Sequence, residues 1–430
     1  MIYKISRYNK FILLIFVFLN LYNPVSPILT LLVDFLLLIF YSKDGKLHFT
    51  KINTLVQFSI VIFIWTIITS IINLTFDLYV IRRYTRVVIA TYLISILIMN
   101  IKITPKRFIN IFSVVLFLHV ISIGIQILYP QIISPMAYLF NMHRADILEK
   151  DSFRMLGLAS SYDTASLIAV MSTMFFLIRY KNENRLMFLI AAFISYFSTI
   201  RTSRTGMLVG GIFVTFTLLY LLFKRKKNNI LILIISGLIG GYMIIVFIAP
   251  ILIKTSGINF GNLLVNYNTH IIFDIGHDYG SGSASSLFSE HLKILTYNNN
   301  KLKLLFGYAT DSSNLKFPSD IGYVETICHI GIIGLIMVLF CYFFIFTLTY
   351  KLKLHKNIFQ FIYLQTLKEF VLICILLVLL FNYKLLIMYS RGTYDIILIS
   401  FFSLRAMYSM SIKGEFNKKQ YNETSITNLR

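Results

Sequence analysis

Charge is what this sequence has least of. Only 13% of its 430 residues are Asp, Glu, Lys or Arg, about half the share in an ordinary globular domain. That poverty excludes the two or three soluble domains for which the length alone leaves room. Cysteine is scarce as well. Cys328, Cys341 and Cys374 each lie inside an apolar run and read as small core residues rather than ligands. No CxxC pair, HExxH, Walker loop or GxGxxG following a strand occurs, so metal, nucleotide and dinucleotide chemistry have no support and no cofactor is expected.

What the chain has instead is apolar length. The hydrophobic fraction is 57%, gathered into runs of about 20 residues, enough to cross a hydrocarbon core of ~30 Å. These runs predict an all-α, polytopic transmembrane helix bundle of about 12 spans. The spans are placed at roughly 11–23, 27–42, 54–74, 80–100, 108–129, 164–180, 186–200, 206–223, 229–252, 322–347, 370–389 and 393–410. Residues 1–410 then form one transmembrane domain, followed by a polar tail at 411–430. The stretch from Met1 to Lys10 and the apolar run behind it resemble a signal peptide. It lacks a small-residue cleavage site and is read as a retained first helix.

The formal charge of +22 is a topology signal and points to anionic lipid headgroups rather than to nucleic acid. Every second connection carries a basic cluster, from Lys4, Arg7 and Lys10 through Lys224–Lys227 to Lys413, Lys418 and Lys419. By the positive-inside rule, both termini are cytoplasmic in a cell membrane. Two long extracytoplasmic loops follow, about 130–163 and a larger, late one at 254–320, and loops of that length usually serve a function.

The arginines that break the charge rule are the informative ones. Arg82, Arg83 and Arg86 begin the fourth span; Arg154 precedes the sixth; Arg201 and Arg204 lie between the seventh and eighth; Arg391 precedes the twelfth. Arginines at helix ends often only snorkel to lipid phosphates. A set concentrated at the outer ends of several spans also suits a cavity that holds a diphosphate, because the guanidinium fork matches phosphate geometry. Gly206, Gly210, Gly211, Gly331 and Gly334 read as points of close helix packing. His119 reads as a packing residue.

Three stretches then carry a family resemblance. Arg154-Met-Leu-Gly157-Leu158 leads through Ser160 to Ala165 into a helix. Thr199-Ile200-Arg201-Thr202-Ser203-Arg204-Thr205-Gly206 lies between two spans. Phe306-Gly307-Tyr308 precedes Asp320-Ile-Gly-Tyr323-Val-Glu325 and Gly331-Ile-Ile-Gly334-Leu335. In order and placement these are similar to segments of the bacterial Wzy-type surface-polysaccharide polymerases and the related O-antigen ligase superfamily. The ligases carry His where this chain has Asp320, and Ile321 replaces a usual Asn, which favours the polymerase over the ligase.

The resemblance implies a glycosyltransferase that joins undecaprenyl-diphosphate-linked oligosaccharide repeat units on the outer leaflet, with release of lipid diphosphate. Membrane lipids, a flippase and a chain-length regulator are the implied partners. Arg154, Arg201 and Arg204, with Arg82, Arg86 and Arg391, are expected to hold the diphosphate. Asp320 is the first candidate for the base and His329 the second, although Asp320 equally suits a helix cap and His329 a buried packing role. Tyr308 and Tyr323 are expected to stack on sugars. A ligase-like transferase and a flippase of lipid-linked oligosaccharide are the alternatives.

Overall fold

The structure is a computed structural model that describes residues 2–24, 26–43, 54–101, 103–140, 155–224, 301–315, 319, 321–355, 358, 360–384 and 386–412. Within them the chain is an apolar helix bundle. The helices are α1 (Ile2–Tyr22), α2 (Pro27–Lys43), α3 (Thr54–Asn73), α4 (Leu78–Asn100), α5 (Pro105–Leu128), the short α6 (Ile133–Leu139), α7 (Tyr162–Glu183), α8 (Leu186–Ile200) and α9 (Arg204–Lys224). After the segment 225–300 come the short α10 (Lys301–Phe306), α11 (Gly322–Tyr350), α12 (Phe361–Phe381) and α13 (Thr393–Ile412). Among the described residues five helices, α3, α5, α11, α12 and α13, are long and apolar enough to cross a membrane. The chain is a multi-pass membrane protein. The expected span at 229–252, residues 141–154 of the first long loop, most of the second long loop and the tail beyond 412 lie outside the described residues.

Packing follows from composition. Every residue of α7 from Thr164 to Tyr180 is buried, the mark of a helix at the centre of a bundle. Large apolar side chains such as Leu32 and Phe35 on α2, and Ile64 and Ile71 on α3, face outward, as they do where the solvent is lipid. In lipid, burying apolar surface adds little drive to helix association, so close backbone approach and polar contacts matter more. Gly206, expected as a packing point, lets α9 meet α7: a Cβ there would lie 1.5 Å from Ser166 Oγ.

Two features differ from the sequence reading. The span expected at 370–389 is α12 at Phe361–Phe381. Lys368 and Glu369, which lower the local hydropathy, are carried inside the helix because neighbours satisfy them. Lys368 Nζ donates to Leu352 O at 2.7 Å, and Glu369 pairs with Lys181 at 2.8 Å. Beyond Phe381 the chain turns, with Asn382 Oδ1 accepting from the Ile387 and Met388 amides. The second feature is a break in α11 at Gly331, whose φ of 72° and ψ of 178° are not helical. The break frees the carbonyls of Cys328 and Ile330 from the helical ladder. Tyr308 N–H donates to the first at 2.7 Å and Trp65 Nε1–H to the second at 2.8 Å.

Candidate functional site

The residues singled out by the sequence gather in two groups at one end of the bundle. That end collects the N-termini of α4, α7, α9, α11 and α13 and the C-termini of α3, α5, α8 and α12. The turn before α13 joins the groups: a Cβ on Gly392 would lie 2.4 Å from Leu21 O of α1 and 3.7 Å from Ile168 of α7.

The first group is built on α4, α11 and α13. Asp77 caps α4, accepting from Tyr79 N–H at 2.9 Å. Its other oxygen accepts from Thr310 Oγ1–H at 3.0 Å and from Asp311 N–H at 3.1 Å, so it fastens the 301–315 segment to α4. Burial works to raise the Asp77 carboxyl, but the hydrogen bonds from Asp311, Tyr79 and Thr310 outweigh it and hold the group below the ordinary carboxylate value. One helical turn in, Arg83 donates through Nη2 to Tyr79 OH and lies 4.7 Å over that ring. Arg86 reaches α13 and forms an ion pair with Asp395, whose side chain is fully buried. Arg391 lies in the turn ahead of α13; burial, then the adjacent Arg86 charge, lowers it to about 10.

On the α11 side, His329 is wholly buried, with Tyr79 and Tyr84 edge-on to its ring at 6.5 Å and 6.3 Å. Its Nε2 stands 3.2 Å from Oε1 of Glu325, one turn earlier. Asp311 lies across from both.

The second group is built on α5, α7 and the α8–α9 turn. Met155 N–H donates to Arg201 O at 2.7 Å, and Ser203 Oγ–H to Asp163 Oδ1 at 2.7 Å. Gly157, at φ 57°, turns the 155–158 segment back. Gln126 grips that segment, accepting from the Leu156 and Gly157 amides and donating to Gly157 O at 2.8 Å. His119 Nδ1 accepts from Leu158 N–H at 3.1 Å while Nε2 bonds to Ala165 O at 3.0 Å, which assigns the proton to Nε2. His119 is thus a positioning residue, in keeping with its reading as a packing side chain.

Several expected site residues change character in this setting. Arg86 and Arg391 are brought together, but Asp395 neutralises much of the Arg86 charge; Arg82 is exposed. Tyr308 is buried, and its backbone is fixed at both ends, to Cys328 O and by Thr75 Oγ1–H. Tyr323 OH donates to Leu379 O at 2.6 Å, tying α11 to α12. Arg201 caps α8. Arg154 and Asp320 lie outside the described residues, as does the side chain of Arg204.

The acids Asp77, Asp311, Glu325 and Asp395 were not singled out from sequence as site residues. Two of them left a signal: Asp395 is an acid near the start of an apolar run, and Glu325 stands four residues before His329, on the same helix face. No protein-family model, curated protein or solved structure matches the chain.

Proposed function

We propose that the chain is a membrane glycosyltransferase that polymerises lipid-diphosphate-linked oligosaccharide repeat units, of the Wzy polymerase type that its motifs resemble. In this reading it has twelve spans, both termini are cytoplasmic, and the end of the bundle that carries both groups faces outward. One observation carries the reading. Motif segments that are apart in sequence meet at that end. The 154–165 and 199–206 stretches are joined by the Met155–Arg201 and Ser203–Asp163 hydrogen bonds, and within the third stretch Gly307-Tyr308 docks on the break at Gly331.

The chemistry asks little of the protein. A hydroxyl at the non-reducing end of one repeat unit attacks the anomeric carbon of the lipid-linked glycan. The bond to the diphosphate breaks, the lipid diphosphate leaves with the electron pair, and the hydroxyl proton passes to a base. The energy is stored in the diphosphate linkage, so no nucleotide is consumed. Arg201 and Arg204, with Arg154 and Arg391, stabilise the charge developing on the leaving diphosphate. Arg86 acts mainly as the partner of Asp395, and Arg82 meets lipid phosphates. Asp320 takes the proton; the enclosure of His329 suits it less to that task. Removing a donor of this kind typically costs about 100- to 1,000-fold in rate. Arg201→Ala is expected to polymerise slower by that factor while inserting normally. A variant that polymerises at the wild-type rate sinks the assignment.

A further inference from the structure

We propose that Asp311, Glu325 and His329 form a binding site for one divalent transition-metal ion of the zinc kind, which pins the 301–315 segment to the first turns of α11. The proposal is independent of the reaction proposed above. Its geometry comes from three constraints already described. Glu325 and His329 are four residues apart on α11 and share a face. The Tyr308–Cys328 hydrogen bond lays the 307–311 backbone along that face, and Asp77 fixes the Asp311 amide from the other side. One donor atom from each of Asp311, Glu325 and His329 then lies within 4.8 Å of the other two.

A second observation, separate from this clustering, points to a ligand. His329 is 0% exposed; its Nε2 stands 3.2 Å from Glu325 Oε1 without the alignment of a hydrogen bond, and its Nδ1 has no hydrogen-bond partner among the described residues. Glu325 Oε2 is in the same condition, while Oε1 accepts from Ser312 N–H at 3.2 Å. Buried polar atoms are almost always satisfied, so an imidazole and a carboxylate oxygen left together in this way call for a shared partner. Donors held at about 2.0–2.2 Å by a tetrahedral ion stand roughly 3.4 Å apart. His329 Nε2 and Glu325 Oε1 are 3.2 Å apart.

Donor type selects the ion. An imidazole among the donors favours zinc over magnesium or calcium, which prefer all-oxygen sets. Three protein ligands leave a coordination position open.

The test uses the full-length protein in detergent, stripped with a chelator and titrated with Zn²⁺ against a chromophoric competitor, with the melting temperature as a second readout. One zinc ion per chain is expected, with a raised melting temperature and no displacement by Mg²⁺. Glu325→Gln and His329→Ala are expected to abolish binding, but both positions are buried and either variant is open to misfolding. Asp311→Asn, partly exposed, decides the matter. It is expected to fold and to weaken zinc by at least the roughly 10- to 100-fold seen when even an outer partner of a metal ligand is lost. Folded wild-type protein that takes up no stoichiometric zinc overturns the proposal, as does Asp311→Asn binding as tightly as wild type.

Discussion

Arg86 shows how a single side chain can change meaning between sequence and structure. From sequence it is one of several cations at a helix end, suited to phosphate. In the bundle it is the counter-ion of Asp395, which also accepts from Gly392 N–H at 2.9 Å. Removing one partner of a buried ion pair typically costs about 3–5 kcal/mol, because the other charge is stranded, whereas replacing both with apolar side chains is often neutral. Arg86→Ala is therefore expected to lower the melting temperature in detergent markedly, and Arg86→Met combined with Asp395→Leu to recover most of the loss. A single variant as stable as wild type would show that the pair does not hold α4 to α13. Asp395 was legible as an ionisable residue in an apolar run. Its partner was not, because the two stand 309 positions apart and no local pattern links them. The same holds for Asp77 and Asp311, which meet only once α10 and the segment after it have docked.

At the scale of the element, apolar runs located the described helices well, because run length is what a membrane dictates. Their ends were less legible. Hydropathy penalises Lys368 and Glu369, but tertiary partners remove that penalty, so α12 starts earlier than its apolar run. Gly331 was legible as a special glycine and read as a packing point; in the structure it also breaks the helix. Its conformation belongs to a region nearly confined to glycine, where another residue costs about 1–3 kcal/mol before any clash. A Cβ at Gly331 would also lie 2.1 Å from Leu305 O. Gly331→Ala is therefore expected to release the 301–315 segment, seen as new proteolytic cleavage there and a lower melting temperature. Gly124 of α5 is the control: a Cβ there meets nothing within 4 Å, and Gly124→Ala is expected to be neutral or stabilising by up to about 1 kcal/mol. Equal tolerance at both positions would contradict this account of the break.

At the scale of the whole molecule, the charge pattern and the bundle address different questions. The basic clusters propose an orientation, and the bundle places both candidate groups at one end. If that orientation holds, a reporter that works only in the cytoplasm is active when fused after Arg430, and one that needs export is active when inserted within 254–320. The opposite pattern would turn the candidate site to the wrong side of the membrane. The central claim, polymerisation, is tested most directly with the purified protein and a lipid-diphosphate-linked repeat unit from its own host, read as a ladder on a gel. The account predicts regularly spaced products without added nucleotide. No ladder, together with movement of the lipid-linked glycan across liposome membranes, would contradict it and make the chain a transporter.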